Sequence, residues 1–219
     1  MQIKLKAASI MTAATMGAAV LACLALDPAT EVPVHWNIHG EVDGTATPLG
    51  ALLPLAGLQL LMLAVFACLR FIEPRKANLE KSGKAISATA TAIIGFMGLL
   101  EAALIAQAFG YDVMSSNAIL IATGLLLAVV GNYLPKLRSG FFMGIRTPWT
   151  LSSEQVWHKT HRLGSRLFVL GGLAIAILSL VLTSVMALTL MMGIITIMVL
   201  VPVTYSWWLW RAEKINKSI

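Results

Sequence analysis

Six apolar runs divide the chain, at residues 7–26, 49–72, 85–108, 118–134, 167–186 and 188–209. Each approaches the length that an α-helix needs to cross a hydrocarbon core about 30 Å thick at roughly 1.5 Å per residue. The connections between them alternate in charge. Lys4 and Lys6 precede the first run, and Arg70, Arg75, Lys76, Lys81 and Lys84 surround the second connection. Lys136, Arg138, Arg146, Lys159, Arg162 and Arg166 occupy the fourth, and Arg211, Lys214 and Lys217 lie in the tail. The first, third and fifth connections hold no lysine or arginine. Basic residues collect on the cytoplasmic side of membrane proteins. The pattern therefore predicts an all-α, multi-pass protein with six transmembrane helices and both termini cytoplasmic.

Composition agrees with this reading. The 219 residues are 58% hydrophobic and 12% charged, with a mean hydropathy of +0.83, outside the range of soluble domains. The net charge of +6 is accounted for by loops facing anionic lipid. No basic run is interleaved with aromatic residues in a soluble module, so direct nucleic-acid binding is not expected. Lys4, Lys6 and the first run also have the layout of a secretory signal peptide. Against that, the apolar stretch continues past Cys23 through Leu26, and a retained helix is expected. Cys23 and Cys68 fall near opposite ends of their spans, too far apart for a disulfide, whose Cα atoms lie within about 7 Å. Two buried thiols are expected.

One integrated membrane domain is predicted, with residues 1–84 as an N-terminal two-helix unit and 85–219 as a C-terminal four-helix region. No internal repeat is visible. The third connection (109–117) and the fifth, a tight turn near Met186, read as hairpin closures. The second, residues 73–84, reads as a solvated link.

The first connection, residues 27–48, carries four acids and no base. Its centre, Val34-His35-Trp36-Asn37-Ile38-His39, alternates strictly. An extended backbone would put Val34, Trp36 and Ile38 on one face and His35, Asn37 and His39 on the other, with Glu41 and Asp43 continuing the polar series. Two readings stand side by side. His35, His39 and Glu41 can converge on a divalent metal, or the polar face meets water while Trp36 anchors the apolar face at the membrane boundary. His35, Trp36, Asn37, His39, Glu41 and Asp43 are the recognition candidates of this loop.

The fourth connection runs from Gly131-Asn132 through Pro135 to Gly144-Ile145-Arg146-Thr147-Pro148-Trp149-Thr150. A helix follows, with Ser152 as the expected N-cap at capping-box spacing from Gln155. Trp157 and His161 share one face of that helix, and His158 and Arg162 the next. No acid or cysteine accompanies the two histidines at the spacing of a zinc hydrolase. Arg146, Trp149, Trp157 and His161 are expected to build one folded cap, with the Arg146 guanidinium capping loop carbonyls or a lipid phosphate. Within the spans, Glu101 is the acid placed deepest. Such a residue is either a structural acid with a partner, for which Gln59 and Gln107 are candidates, or a site of proton or ion coupling.

These two loops together resemble the SdpI family of bacterial membrane proteins. Pro33-Val34-His35-Trp36-Asn37, Gly40 and Asp43-Gly44 resemble a domain of unknown function often found at the N-terminus of such proteins. Gly131-Asn132, Leu134-Pro135-Lys136, the Gly144–Leu151 run, Trp157, Thr160-His161-Arg162 and Gly164 look like the family's C-terminal signature. Unlike the common pattern, no base follows Asp43-Gly44 between Thr45 and Pro48. The resemblance implies a bacterial cytoplasmic membrane, and immunity and signalling there: tolerance of a secreted membrane-active peptide outside and retention of a transcriptional repressor inside. It marks Asn132, Pro135, Arg146, Thr147, Pro148, Trp149, Trp157, Thr160, His161 and Arg162 as candidates of the cytoplasmic loop. It implies no catalytic residue and no cofactor. The alternatives are a small-solute or ion transporter using Glu101, and a membrane enzyme acting on lipid or envelope substrates through the cytoplasmic loop.

Overall fold

Long apolar stretches without a charge leave the backbone no water to bond, so they close their hydrogen bonds internally as helices. The computed structural model describes residues 3–113 and 115–217. In chain order it holds α1 (Lys6–Ala25), a hairpin of β1 (Val32–Trp36) and β2 (Val42–Ala46), α2 (Pro48–Ile72), α3 (Lys76–Ala108) and α4 (Ser116–Tyr133). A 3-10 turn (Leu134–Lys136), the short α5 (Pro148–Ser152), α6 (Glu154–Val181) and α7 (Ser184–Lys217) follow. Six of these helices are long and apolar enough to cross a membrane. Their outward faces carry large apolar side chains that water would not tolerate in such numbers, among them Leu24, 79% exposed, and Val181, 76% exposed. The protein is an all-α, polytopic membrane protein, with one two-stranded hairpin inserted between α1 and α2.

Several boundaries differ from the sequence reading. Residues 76–84 are not a link but the first turns of α3, because Pro74 ends the preceding segment and the Ala-, Glu- and Lys-rich stretch after it favours helix. The last turn falls at Leu182 and Thr183, before Met186, which lies inside α7. Neither thiol is fully buried: Cys23 is half-buried and Cys68 is exposed on the outer face of α2, and both are free.

The helices pack as two groups. α1, α2 and α3 bury Ala19, Ala22, Leu52, Ala56 and Leu104 between them, with Val32 of the hairpin closing one end. α4, α6 and α7 form the second group, and α4 against α6 is its tightest pair. That closeness has a local cause. A Cβ on Gly124 would lie 2.5 Å from Gly172 O, and one on Gly131 would lie 2.6 Å from Phe168 Cβ. Small residues let membrane helices approach to backbone contact.

α3 and α7, of 33 and 34 residues, are about 50 Å long and outreach the apolar core. The N-terminus of α3, the C-terminus of α7 and the N-terminus of α6 end on the same side. They frame the loop 137–147, and this end is called the cap face below. The opposite end bears the hairpin.

Candidate functional site

The hairpin is locked by its own side chains. His35 Nδ1 meets Asp43 Oδ1 across the strands, and Asn37 Nδ2 donates to Glu41 Oε2 at 2.9 Å. Asn37 Oδ1 in turn accepts the backbone N–H groups of His39 and Glu41, at 2.9 and 3.0 Å. This closes a turn in which Gly40 takes φ +85°, a conformation costly to any residue with a Cβ. His35 is thus paired with Asp43, and Asn37 with Glu41. His39 is exposed, and no cluster of three or more His, Cys, Asp or Glu able to hold a metal is found among the described residues.

Strict alternation does not survive in β1. The register slips between Pro33 and His35 and again between His35 and Trp36. Pro33 has no N–H for the ladder, and bulges of this kind turn consecutive side chains to one side. As a result Val34, His35, Trp36, Asn37 and Ile38 all line one cleft, where a period of two would have sent half of them away. Its other walls are Leu55, Leu100, Leu104, Ile119, Leu120 and Leu188, with Ser116 and Ser184 at the rim. The cleft holds about 370 Å³ and is mostly apolar.

At the cap face, the loop 137–147 is pinned by two residues absent from the sequence candidates. Glu73 is buried, and its carboxylate accepts the backbone N–H groups of Arg75 and Phe141 at 2.9 Å and of Phe142 at 3.3 Å. Arg75 donates from one arm to Ser139 Oγ and from the other to Leu151 O at 3.0 Å, and it stacks on the Phe141 ring. Asn78 Nδ2 adds a bond to Ser139 O at 2.9 Å. The forked role expected of Arg146 therefore belongs to Arg75. Arg146 is exposed and donates one hydrogen bond, from Nη1 to Phe141 O at 2.6 Å. Arg75→Lys is expected to lower the thermal midpoint by several degrees, since an ammonium cannot hold two divergent acceptors. Arg146→Lys should shift it far less, and equal shifts from thermal unfolding in detergent would contradict this division of roles.

The centre of the cap is aromatic. Trp157 is fully buried, donates from Nε1 to Leu137 O at 2.9 Å, and stacks on the His161 ring at 4.0 Å. His161 Nε2 accepts Ile145 N–H at 2.9 Å, so its proton sits on Nδ1, which donates to Trp157 O at 2.9 Å. The buried imidazole is thus neutral and both its nitrogens are used; it is a bracket for the loop, with no free nitrogen for base chemistry. Gly144, at φ +100°, crosses over this stack, and a Cβ there would run into His161 Nε2. Thr147 caps α5 in a reciprocal pair with Thr150 and meets Ser206 Oγ of α7 at 3.0 Å. The N-cap of α6 is Ser153, not Ser152, which closes α5. Ser153 Oγ accepts Val156 N–H and donates to Glu213 Oε2 at 2.6 Å.

The remaining candidates lie around this centre. Asn132, Pro135, Pro148 and Arg162 are exposed on the rim, and Trp149 is half-buried. Thr160 is buried, with no partner for its hydroxyl among the described residues. Two turns in from the hairpin end of α3, Glu101 is fully buried between α1 and α2, and neither carboxylate oxygen has a hydrogen-bond partner among the described residues. Gln59 and Gln107 do not supply one. Gln59 is engaged with Thr15 Oγ1 and Ile94 O, and Gln107 Oε1 is itself unpartnered.

Six spans, a locked hairpin over a cleft at one end and a polar cap at the other define a multi-pass membrane protein. The sequence model of the SdpI/YfhL protein family matches residues 136–206, which hold the Gly144–Leu151 run and the Trp157–His161 stack. Over this segment the chain is similar to that family. The chain is also similar to the immunity protein SdpI of Bacillus subtilis (strain 168), at 26% identity over 149 residues, covering 68% of this chain and 69% of that protein. No solved structure matches the chain.

Proposed function

We propose that this is an immunity-type membrane protein that recognises a secreted, membrane-active peptide at its hairpin face without chemical turnover. The observation that carries the reading is the cleft of about 370 Å³ roofed by residues 34–38. It is of the size and apolar character that buries ligand side chains. Around it, Asp27, Glu31, Glu41 and Asp43 stand in a segment without a single base, which attracts a cationic peptide. The similarity to a protein named for immunity supports the same reading. In this proposal the hairpin faces outward from a bacterial cytoplasmic membrane, and both termini and the cap face the cytoplasm. A repressor held at the membrane would touch the exposed cap rim of Asn132, Pro135, Arg146 and Pro148.

Two measurements test this. Reporter fusions after Asp43 and after Ser153 should read outside and inside, and identical locations would end the orientation. In a killing assay with a panel of membrane-active peptides, Leu188→Trp, which fills the cleft, should weaken protection about tenfold, the equivalent of roughly 1.4 kcal/mol of binding. Glu101→Gln should protect normally. If Glu101→Gln abolishes protection while Leu188→Trp keeps it, the transport reading replaces this one.

A further inference from the structure

A second cleft lies at the cap face, between α6 and α7, and holds about 820 Å³. Lys159, Arg162 and Arg166 line one wall. Their spacing of three and four residues stacks them along a single stripe of α6, spanning about 10 Å of helix. Tyr205, Trp208, Leu209 and Ala212 form the opposite wall on α7. One acid, Glu213, reaches the cleft, and its Oε2 is taken by Ser153 Oγ.

Five other bases at this face are occupied. Arg75 and Arg138 bond to loop and histidine atoms, and Lys136, Arg211 and Lys214 sit over the rings of Tyr133, Trp207 and Trp210. Among the described residues, none of Lys159, Arg162 and Arg166 has an ion-pair, hydrogen-bond or ring partner. Three cations converge on a cleft that holds a single carboxylate, Glu213, so they repel one another unless a further anion joins them. Depth says which anion. Tyr205, Trp207, Trp208 and Trp210 form an aromatic belt, the signature of the level of lipid headgroups. The wall of Tyr205, Trp208 and Leu209 within this belt suits the apolar part of a lipid next to its headgroup, and the Arg162 and Arg166 forks suit phosphate oxygens.

The geometry points to a binding site for the phosphodiester headgroup of an anionic phospholipid, held by Lys159, Arg162 and Arg166 between α6 and α7. A soluble phosphate would use the same forks but not the apolar wall, and an acidic peptide would not require the aromatic depth.

Native mass spectrometry of the purified protein, titrated with phosphatidylglycerol or phosphatidylcholine, tests the site. Wild type should retain one phosphatidylglycerol about tenfold more tightly than phosphatidylcholine. Arg162→Gln/Arg166→Gln should erase that preference, whereas Arg211→Gln/Lys214→Gln, with equal charge lost from the same face, should keep it. Lys159→Gln alone, an exposed change that leaves the helix pair packed, should weaken retention about threefold. Equal losses in the two double variants would overturn the site in favour of diffuse surface charge. So would full competition by inorganic phosphate or by a soluble oligoglutamate peptide.

Discussion

Gly172→Leu is expected to leave almost no folded protein in the membrane. Gly172 and Gly124 face each other where α4 and α6 cross, and a Cβ on Gly172 would run into Gly124 O and lie 2.6 Å from Ala128 N. The obstacles are backbone atoms of a partner helix, which no rotamer change can move. Separating the helices would forfeit the packing on which membrane association depends. Overpacking commonly costs about 1–3 kcal/mol, and here it falls on the tightest helix pair, so the loss should sit at or above the top of that range. Gly193→Leu provides the control, since nothing lies within 4 Å of a Cβ at that position. Membrane abundance and thermal midpoint in detergent should collapse for the first variant and stay near wild type for the second. Similar values for both would show that the α4–α6 contact is not what holds this half together.

Trp157→Ala should remove about 3–5 kcal/mol, the usual cost of emptying a large buried aromatic site. It also strands Leu137 O and takes away the surface on which His161 lies. Trp157→Phe keeps most of the stack but not the Nε1–H, so it should cost about 1–3 kcal/mol. Gly144→Ala attacks the same place from above. Its left-handed backbone adds roughly 1–2 kcal/mol of strain, and its methyl group collides with His161. Because that collision needs the imidazole, Gly144→Ala combined with His161→Ala should be less damaging than the sum of the two alone. A double-variant cycle by chemical denaturation reads this directly. Strict additivity would mean that loop and ring do not press on each other.

Much of the architecture was legible along the chain. The six apolar runs became six helices, and the expected hairpin-closing connections stayed short. Pro33-Val34-His35-Trp36-Asn37 did form an extended segment, yet alternation failed within it because Pro33 cannot hold the ladder. Trp157 and His161, four apart on a helix, were expected to share a face and do so in ring-to-ring contact. Glu73 and Arg75, by contrast, looked like charges on a solvated link, although they anchor the loop that leads into the Gly144–Leu151 run. A signal was present in Glu73-Pro74-Arg75, two opposite charges beside a proline at the foot of a helix. It had no visible partner.

That contrast separates what local chemistry determined from what required the assembled bundle. A hydrocarbon core acts on each segment alone, through length and apolarity, so spans and their alternation are properties of local windows. The cap is held differently. Glu73 reaches Phe141, 68 positions away, Arg75 reaches Ser139, 64 away, and Thr147 reaches Ser206, 59 away. No window of sequence contains both members of such a pair. The reversal of roles between Arg75 and Arg146, the glycine contact of α4 with α6, and the convergence of residues 34–38 on one cleft all follow from which helices meet. Tertiary packing decided those contacts, because a buried polar group or a missing Cβ has meaning only beside the surface that faces it.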